Sequence, residues 1–576
     1  MGSNNIIVRE YLESLKEDGE LDYLFPILLN LMGFRVVTTA RESKGQPQYG
    51  KDIIAVAIDD DGIKKRFYFE LKGHSDKDIN DTVLNKKDGI IDSLKASKYT
   101  PYNDSSIPGF NELPIKYVLV HNGILKSNTR ATFNGFIDEL FPDGNFDRWG
   151  IYKLSDLFND YLFSEYLFTD DQSLRLFKKT LVLLDAPQND YRDFKSLVDL
   201  QIEKIADIKK GRAFSKFFAT QNLLASVVLH YSKDNNNLEA AKQCLTYLLL
   251  KTWAWILNNN LEGKSGVKKA FSRLVSTHFR MLDLYFQRTL EVAKLENGLY
   301  AEQGGPFEEV GYPLRSFEYL NYLIYFFEAR LYFPSFSKKP TKSKQNILRS
   351  KQKDILIQLI ENNDGCQRPV LDYHSIAILN VVLFVLQKGD LRDKDLQFIG
   401  EYLFSILDNI LIINTVRGRF PHVGEEIDLV KKIRSNKPRK KEKGLPPTLL
   451  VTILFELISK IDFNHAYGSF KTGFKEKLNF QTAHPNFNDF DIEQLLFQKH
   501  FDREFYVETN IALKETLKEF KEDIESRDFD CIEYRTDKAG FPFLRKLAHI
   551  YFKNELFVDE WREIKKAANN VSYEKP

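Results

Sequence analysis

Gly50-Lys51-Asp52, the apolar run Ile53 to Ile58, the turn Asp59-Asp60-Asp61-Gly62 and the run Lys65-Arg66-Phe67-Tyr68-Phe69-Glu70-Leu71-Lys72 decide how this chain reads. Asp-Gly between two β-rich runs marks a hairpin, with strands over 52–58 and 65–71. Side chains alternate along a strand, so Glu70 and Lys72 share one face while Leu71 points to the other. Asp52 heads the first strand and Glu70 and Lys72 end the second, so the hairpin draws all three together. Two hard oxygen donors suit Mg²⁺ or Mn²⁺, which keep several waters, and a neighbouring lysine can orient one of those waters. That is an arrangement for phosphodiester hydrolysis. The same residues admit a blander reading, in which Asp52 caps a turn and Glu70 and Lys72 form an ordinary surface pair worth little.

Working outward, residues 6–32 carry apolar positions at helical spacing (Leu21, Leu24, Phe25, Leu28, Leu29, Met32) and should stop at Gly33. A strand follows over 34–39, then a polar loop over 44–49. Beyond the hairpin, 76–97 is helix-compatible, Ile115 to Val120 reads as a strand, Asn128 to Leu140 as a helix and Gly150 to Leu154 as a short strand. Together these predict a mixed-sheet α/β unit over residues 1–168.

On these residues the stretch resembles the PD-(D/E)xK nucleases, most closely their Mrr-like restriction-endonuclease branch. Those proteins pair a helix of the form acid, apolar run, Gly-Phe with a later Gly-x-Asp and a strand ending (Glu/Gln)-x-Lys. Here the counterparts are Asp22 through Leu29 to Gly33-Phe34, Gly50-Lys51-Asp52 and Glu70-Leu71-Lys72. Val118 to Gly123, followed by a helix containing Arg130, is similar to the segment after the core in that branch. The resemblance spans about 30% of the chain, residues 1 to about 165. It implies a restriction-endonuclease-like fold in which Asp52, Glu70 and the main-chain carbonyl of Leu71 hold Mg²⁺ or Mn²⁺ and Lys72 orients water or stabilises charge. Asp22 sits where the family usually carries a Glu, with Glu20 a nearby substitute; either could complete the metal shell. His74, two residues beyond Lys72, is a further candidate for phosphate contact.

After about 190 the pattern is almost wholly helical, with amphipathic segments at 194–209, 213–232, 238–259, 266–293, 313–332, 352–363, 373–388 and 394–413. The expected layout is therefore a nuclease-like domain (1–168), a linker (169–190) and a large all-α region (191–576), with sub-boundaries near 340 and 445. Two basic stretches, 337–351 and 435–444, read as exposed loops. No fixed-period repeat, Walker motif, His-Glu-x-x-His or Gly-x-Ser-x-Gly occurs, so nucleotide-driven, zincin and serine-hydrolase chemistry find no support.

The 576 residues, 43% hydrophobic and 28% charged, exclude disorder and a single small module. Three cysteines, Cys244, Cys366 and Cys531, are too few for a disulfide framework or a thiolate zinc site, which fits a reducing compartment. With no uninterrupted apolar stretch of about 20 residues, the expectation is a cytoplasmic protein without membrane contact. The net charge is +1, but residues 1–165 hold 20 Lys and Arg against 26 Asp and Glu, a balance of −6 that leaves +7 on the rest. An acidic unit alone is a poor polyanion binder. The expected remedies are a contribution from the helical region or self-association into a composite groove. By resemblance to restriction and antiphage-defence proteins, the expected partners are a second copy of the chain, as a homo-oligomer, or a partner defence subunit. Candidate nucleic-acid contacts are Lys51, Lys64, Lys65 and Arg66 on the hairpin, and Arg417, Arg419, Lys440 and Lys441 beyond. DNA is the expected substrate, RNA the alternative.

Overall fold

The computed structural model describes residues 8–9, 11–13, 15, 17–39, 49–161, 170–186, 189–205, 212–301, 308–332, 342–386, 391–434, 445–477, 480–485, 492–497, 506–509, 513–526 and 533–555. These form two compact units, 1–249 with 269–278, and 250–268 with 279–576.

The first unit is built on a five-stranded sheet in the order β1 (Arg35–Thr38), β2 (Ile53–Ile58), β3 (Lys64–Lys72), β4 (Ile115–His121), β5 (Phe146–Trp149). β1, β2 and β3 pair antiparallel, while β3, β4 and β5 run parallel. β3 is paired on both sides, and its residues from Arg66 to Lys72 are buried although Arg66, Glu70 and Lys72 are charged. On one face Ile54, Val56, Tyr68, Tyr117 and Leu119 pack with Val83, Leu84, Ile90, Leu94, Phe133 and Leu140. Those partners come from α2 (Asp81–Asn85), α3 (Ile90–Tyr99) and α4 (Arg130–Leu140). On the other face Phe67, Phe69 and Trp149 meet Phe34 and, from α1 (Asp22–Leu31), Phe25, at ring separations of 5.0–6.5 Å. The mixed α/β unit expected from sequence is present.

Gly150 to Leu154 is not a strand: β5 ends at Trp149 and α5 (Ile151–Tyr161) begins. Ile151, Leu154, Ser155 and Phe158 are all buried, a helical stripe that outweighs the short β-like run. Nor is 169–190 a linker. It holds α6 (Asp171–Leu183), whose N-terminus is capped by Asp170 accepting from Ser173 N at 2.9 Å. Its Phe177 is fully buried, and Ser173 accepts from Gln201 of α7 (Arg192–Glu203) at 2.7 Å. The first unit continues through α8 (Arg212–Asp234) to Leu249, well past the expected boundary.

The second unit is predominantly helical, as expected, but not purely so. Leu445–Thr448, Phe480–Pro485 and Tyr506–Thr509 form a three-stranded sheet, a correction to the all-α expectation. These strands are only four to six residues long and the first contains Pro446-Pro447, so they leave little periodicity to read. The basic stretch 337–351 is also corrected. From Lys342 it is the start of one helix running to Glu361, anchored by a fully buried Lys353–Asp395 pair at 3.3 Å. Asp393–Arg417 is one helix long and apolar enough to cross a membrane, but half of its apolar window is buried inside the protein, as in a core helix. The expected sub-boundaries near 340 and 445 fall on 333–341 and 435–444, outside the described residues.

Candidate active site

The register of the hairpin assembles the site. Ile53 pairs with Phe69 and Ile54 with Tyr68, which places Asp52 opposite Glu70. Asp52 N donates to Phe69 O at 2.9 Å, and Leu71 N donates to Asp52 Oδ2 at 2.7 Å. Lys72 Nζ donates to Glu70 Oε1 at 2.6 Å. Asp52, Glu70 and Lys72 are thus brought together, and Glu70 is only 3% exposed. The surface-pair reading does not hold.

Burial raises the Asp52 carboxyl well above the usual carboxylate range, and the Glu70 charge adds to this. Burial works against the Lys72 ammonium, but Glu70, Glu17 and Asp52 outweigh it and hold its pKa above that of an ordinary lysine. Lys72 therefore stays charged.

Glu17, which sequence reasoning missed, is the acid from the N-terminal segment that reaches this cluster. Its Oε2 accepts from Gly73 N at 3.1 Å and its Oε1 lies 3.9 Å from Lys72 Nζ. It sits on a π-helical turn, Glu17–Leu21, directly before α1. The wider turn shifts residue spacing, so counting back from the motif helix at 3.6 per turn misplaces it. Asp22 is buried at the start of α1, and Glu20 lies on the π turn with its charge acting on Tyr11. The side chain of His74 lies outside the described residues.

Several expected nucleic-acid contacts are spent elsewhere. Lys51 is buried and donates to Thr100 O at 2.7 Å and Tyr49 O at 2.9 Å; burial lowers its pKa to about 8. Arg66 is buried and donates to the carbonyls of Leu113, Tyr102 and Asn111 at 3.0–3.2 Å. Lys65 pairs with Asp59 and Asp61. Lys64 is exposed. In the second unit Arg417 and Arg419 both pair with Glu309, and Lys440 and Lys441 lie outside the described residues.

Asp52, Glu70 and Glu17 supply oxygen donors of the kind a hard divalent cation takes, and all three act on the Lys72 ammonium. Among the described residues no group of three His, Cys, Asp or Glu side chains is already gathered as a metal cage. Comparison with known proteins brings no relative to bear on this site: no family model, no curated protein and no solved structure matches the chain.

Proposed function

We propose that the chain is a metal-dependent endonuclease of PD-(D/E)xK type that hydrolyses DNA phosphodiester bonds, with a restriction-endonuclease-like N-terminal fold. The observation that carries the reading is the hairpin register that sets Asp52 opposite Glu70 and Lys72 against Glu70, at the end of a central strand. Asp52, Glu70 and the Leu71 carbonyl would hold Mg²⁺ or Mn²⁺, which when bound supplies Lewis-acid polarisation of the phosphate and a more acidic water. Lys72, held charged among three acids, stabilises the negative charge that grows on the phosphoryl oxygens and orients the attacking water. Glu17 positions Lys72 from the N-terminal side.

By analogy with fused restriction and antiphage-defence proteins, the helical remainder gates the nuclease and recognises a trigger. A second reading, a helical scaffold whose N-terminal domain binds without cutting, draws on the burial of Glu70. The test is cleavage of supercoiled plasmid DNA and, in parallel, of single-stranded RNA, with Mg²⁺ or Mn²⁺ and with EDTA. Metal-dependent cutting of plasmid supports the proposal; cutting of RNA alone reassigns the substrate. Cutting of neither, in the presence of cell extract from phage-infected bacteria as a source of trigger, favours the scaffold.

A further inference from the structure

The sheet carries a second polar cluster in line with the first. Lys72 is paired with His121 and Leu119 with Arg148 across the parallel strands. Alternation therefore puts Glu70 and Lys72 of β3, His121 of β4 and Arg148 of β5 on the face that also carries Tyr68, Tyr117 and Leu119. With Asp52 they form a row across four neighbouring strands, each step about 4.8 Å. The row lies at the carboxyl ends of the parallel strands, the edge at which open α/β sheets take ligands.

His121 is fully buried, and its Nδ1 sits 2.9 Å from the carbonyl oxygen of Lys77, which can only accept. Nδ1 is therefore the protonated nitrogen, and Nε2 is left to accept from Arg148 Nη1 at 2.8 Å. The ring thus steers the guanidinium without neutralising it. Gly150 makes room for the pair, since a Cβ there would lie 2.8 Å from Arg148 Nη1 and 3.1 Å from His121 Nε2. Asp147, the adjacent acid, is turned to Trp149 Nε1 at 2.7 Å and Lys153 Nζ at 2.8 Å. Arg130, exposed at the first residue of α4, is close enough for its charge to act on Arg148. Among the described residues neither arginine forms an ion pair with a carboxylate. The Arg130 charge thus reaches Arg148, with Asp147 partly offsetting it and no described carboxylate bonded to either guanidinium, beside a cluster rich in carboxylates that would repel an anion.

We propose that Arg130 and Arg148 grip a backbone phosphate of the nucleic acid next to the one presented to Asp52, Glu70 and Lys72, with His121 as the positioning residue. The planar forked donors of arginine match phosphate oxygens, and the pair gives an otherwise acidic unit a local cationic foothold. The inference rests on the nuclease reading, and its test reads binding rather than cleavage.

The full-length chain is titrated into a labelled DNA duplex in EDTA, by fluorescence anisotropy over a salt series. Arg130→Gln with Arg148→Gln should weaken binding at least about tenfold at low salt and reduce the slope of log K against log salt by about two phosphate contacts. Arg130→Gln alone, at an exposed site that folding does not need, should remove about one contact. Unchanged affinity and slope in both variants, or no binding by the wild type, overturns the proposal. Plasmid cleavage by the same preparations, with Mg²⁺ and the extract from phage-infected bacteria as trigger, separates the two claims. Wild-type cleavage with unaltered binding by the variants discards the phosphate grip and keeps the nuclease; weakened variant binding with no wild-type cleavage keeps the grip and discards the nuclease.

Discussion

At the scale of single residues, the site depends on Gly50 as much as on the acids that follow it. Gly50 has φ +68°, and a Cβ there would fall on the carbonyl of Ser93 in α3. Two residues later Asp52 must meet Leu71 N, so Gly50→Ala should cost about 2 kcal/mol or more and displace Asp52. Thermal unfolding reports the first effect and loss of cleavage the second. Asn122 is a second such residue: fully buried, it donates to Leu12 O at 2.7 Å and Leu15 O at 2.9 Å, tying down the segment that carries Glu17. Asn122→Ala should destabilise by roughly 2 kcal/mol, because two buried carbonyls lose their donor. Hydrogen exchange over residues 11–21 should quicken, and unchanged protection there would contradict this role. The three motif residues were legible from sequence because hairpin alternation fixes their face. Lys51 and Arg66, expected at a nucleic-acid surface, are buried for a physical reason. A long cationic side chain in a hairpin looks solvated until the segment that supplies Thr100 to Lys51, and Tyr102, Asn111 and Leu113 to Arg66, as acceptors is seen folded around it.

At the scale of elements, the rigidity of the site comes from what lies behind β3. Phe67 and Phe69 stack at 6.0 Å, and Phe69 also meets the edges of Phe25, Phe34 and Trp149 at 5.2–6.0 Å. Phe69→Ala, one residue before Glu70, should cost about 3–5 kcal/mol, measurable by denaturant unfolding. A loss below about 1 kcal/mol would mean that this cluster does not fix the strand. The sequence revealed elements well where one period dominated: the β2–β3 hairpin, β4, and helices such as α8 and Asp393–Arg417 emerged close to their expected spans. It failed where signals competed. Ile151 to Leu154 is too short to separate a period of two from 3.6, and charge in Lys342 to Lys351 concealed a helix continuous with the apolar stretch after it. The π turn at Glu17 defeats any regular count.

At the scale of the whole molecule, charge and titration set the conditions under which it works. Burial pushes His121 down to about 4 and His278 to about 3, and holds His374 well below the ordinary value of 6.5. Their folded pKa values are depressed, so the stability gained from burying them neutral is complete above about pH 6.5 and is lost as pH falls. The unfolded chain takes up protons that the folded chain refuses. Between pH 6.5 and 4, His121 alone should account for a loss on the order of 2–3 kcal/mol. Tm should fall across that window, and a flat profile would contradict the assigned neutral state. The −6 balance over residues 1–165 makes any grip on nucleic acid a local matter, for which Arg148, held by His121, is the proposed foothold together with Arg130.

The most direct test of the account is a side-by-side assay of wild type and Lys72→Ala on supercoiled plasmid with Mg²⁺ or Mn²⁺ and extract from phage-infected bacteria as the source of trigger, extract alone being the blank, with unfolding curves recorded on both. The account predicts that wild type cuts, that EDTA stops it, and that Lys72→Ala remains folded but cuts at least about a hundredfold more slowly. Full activity in the folded Lys72→Ala chain, or cutting that persists without metal, would contradict it.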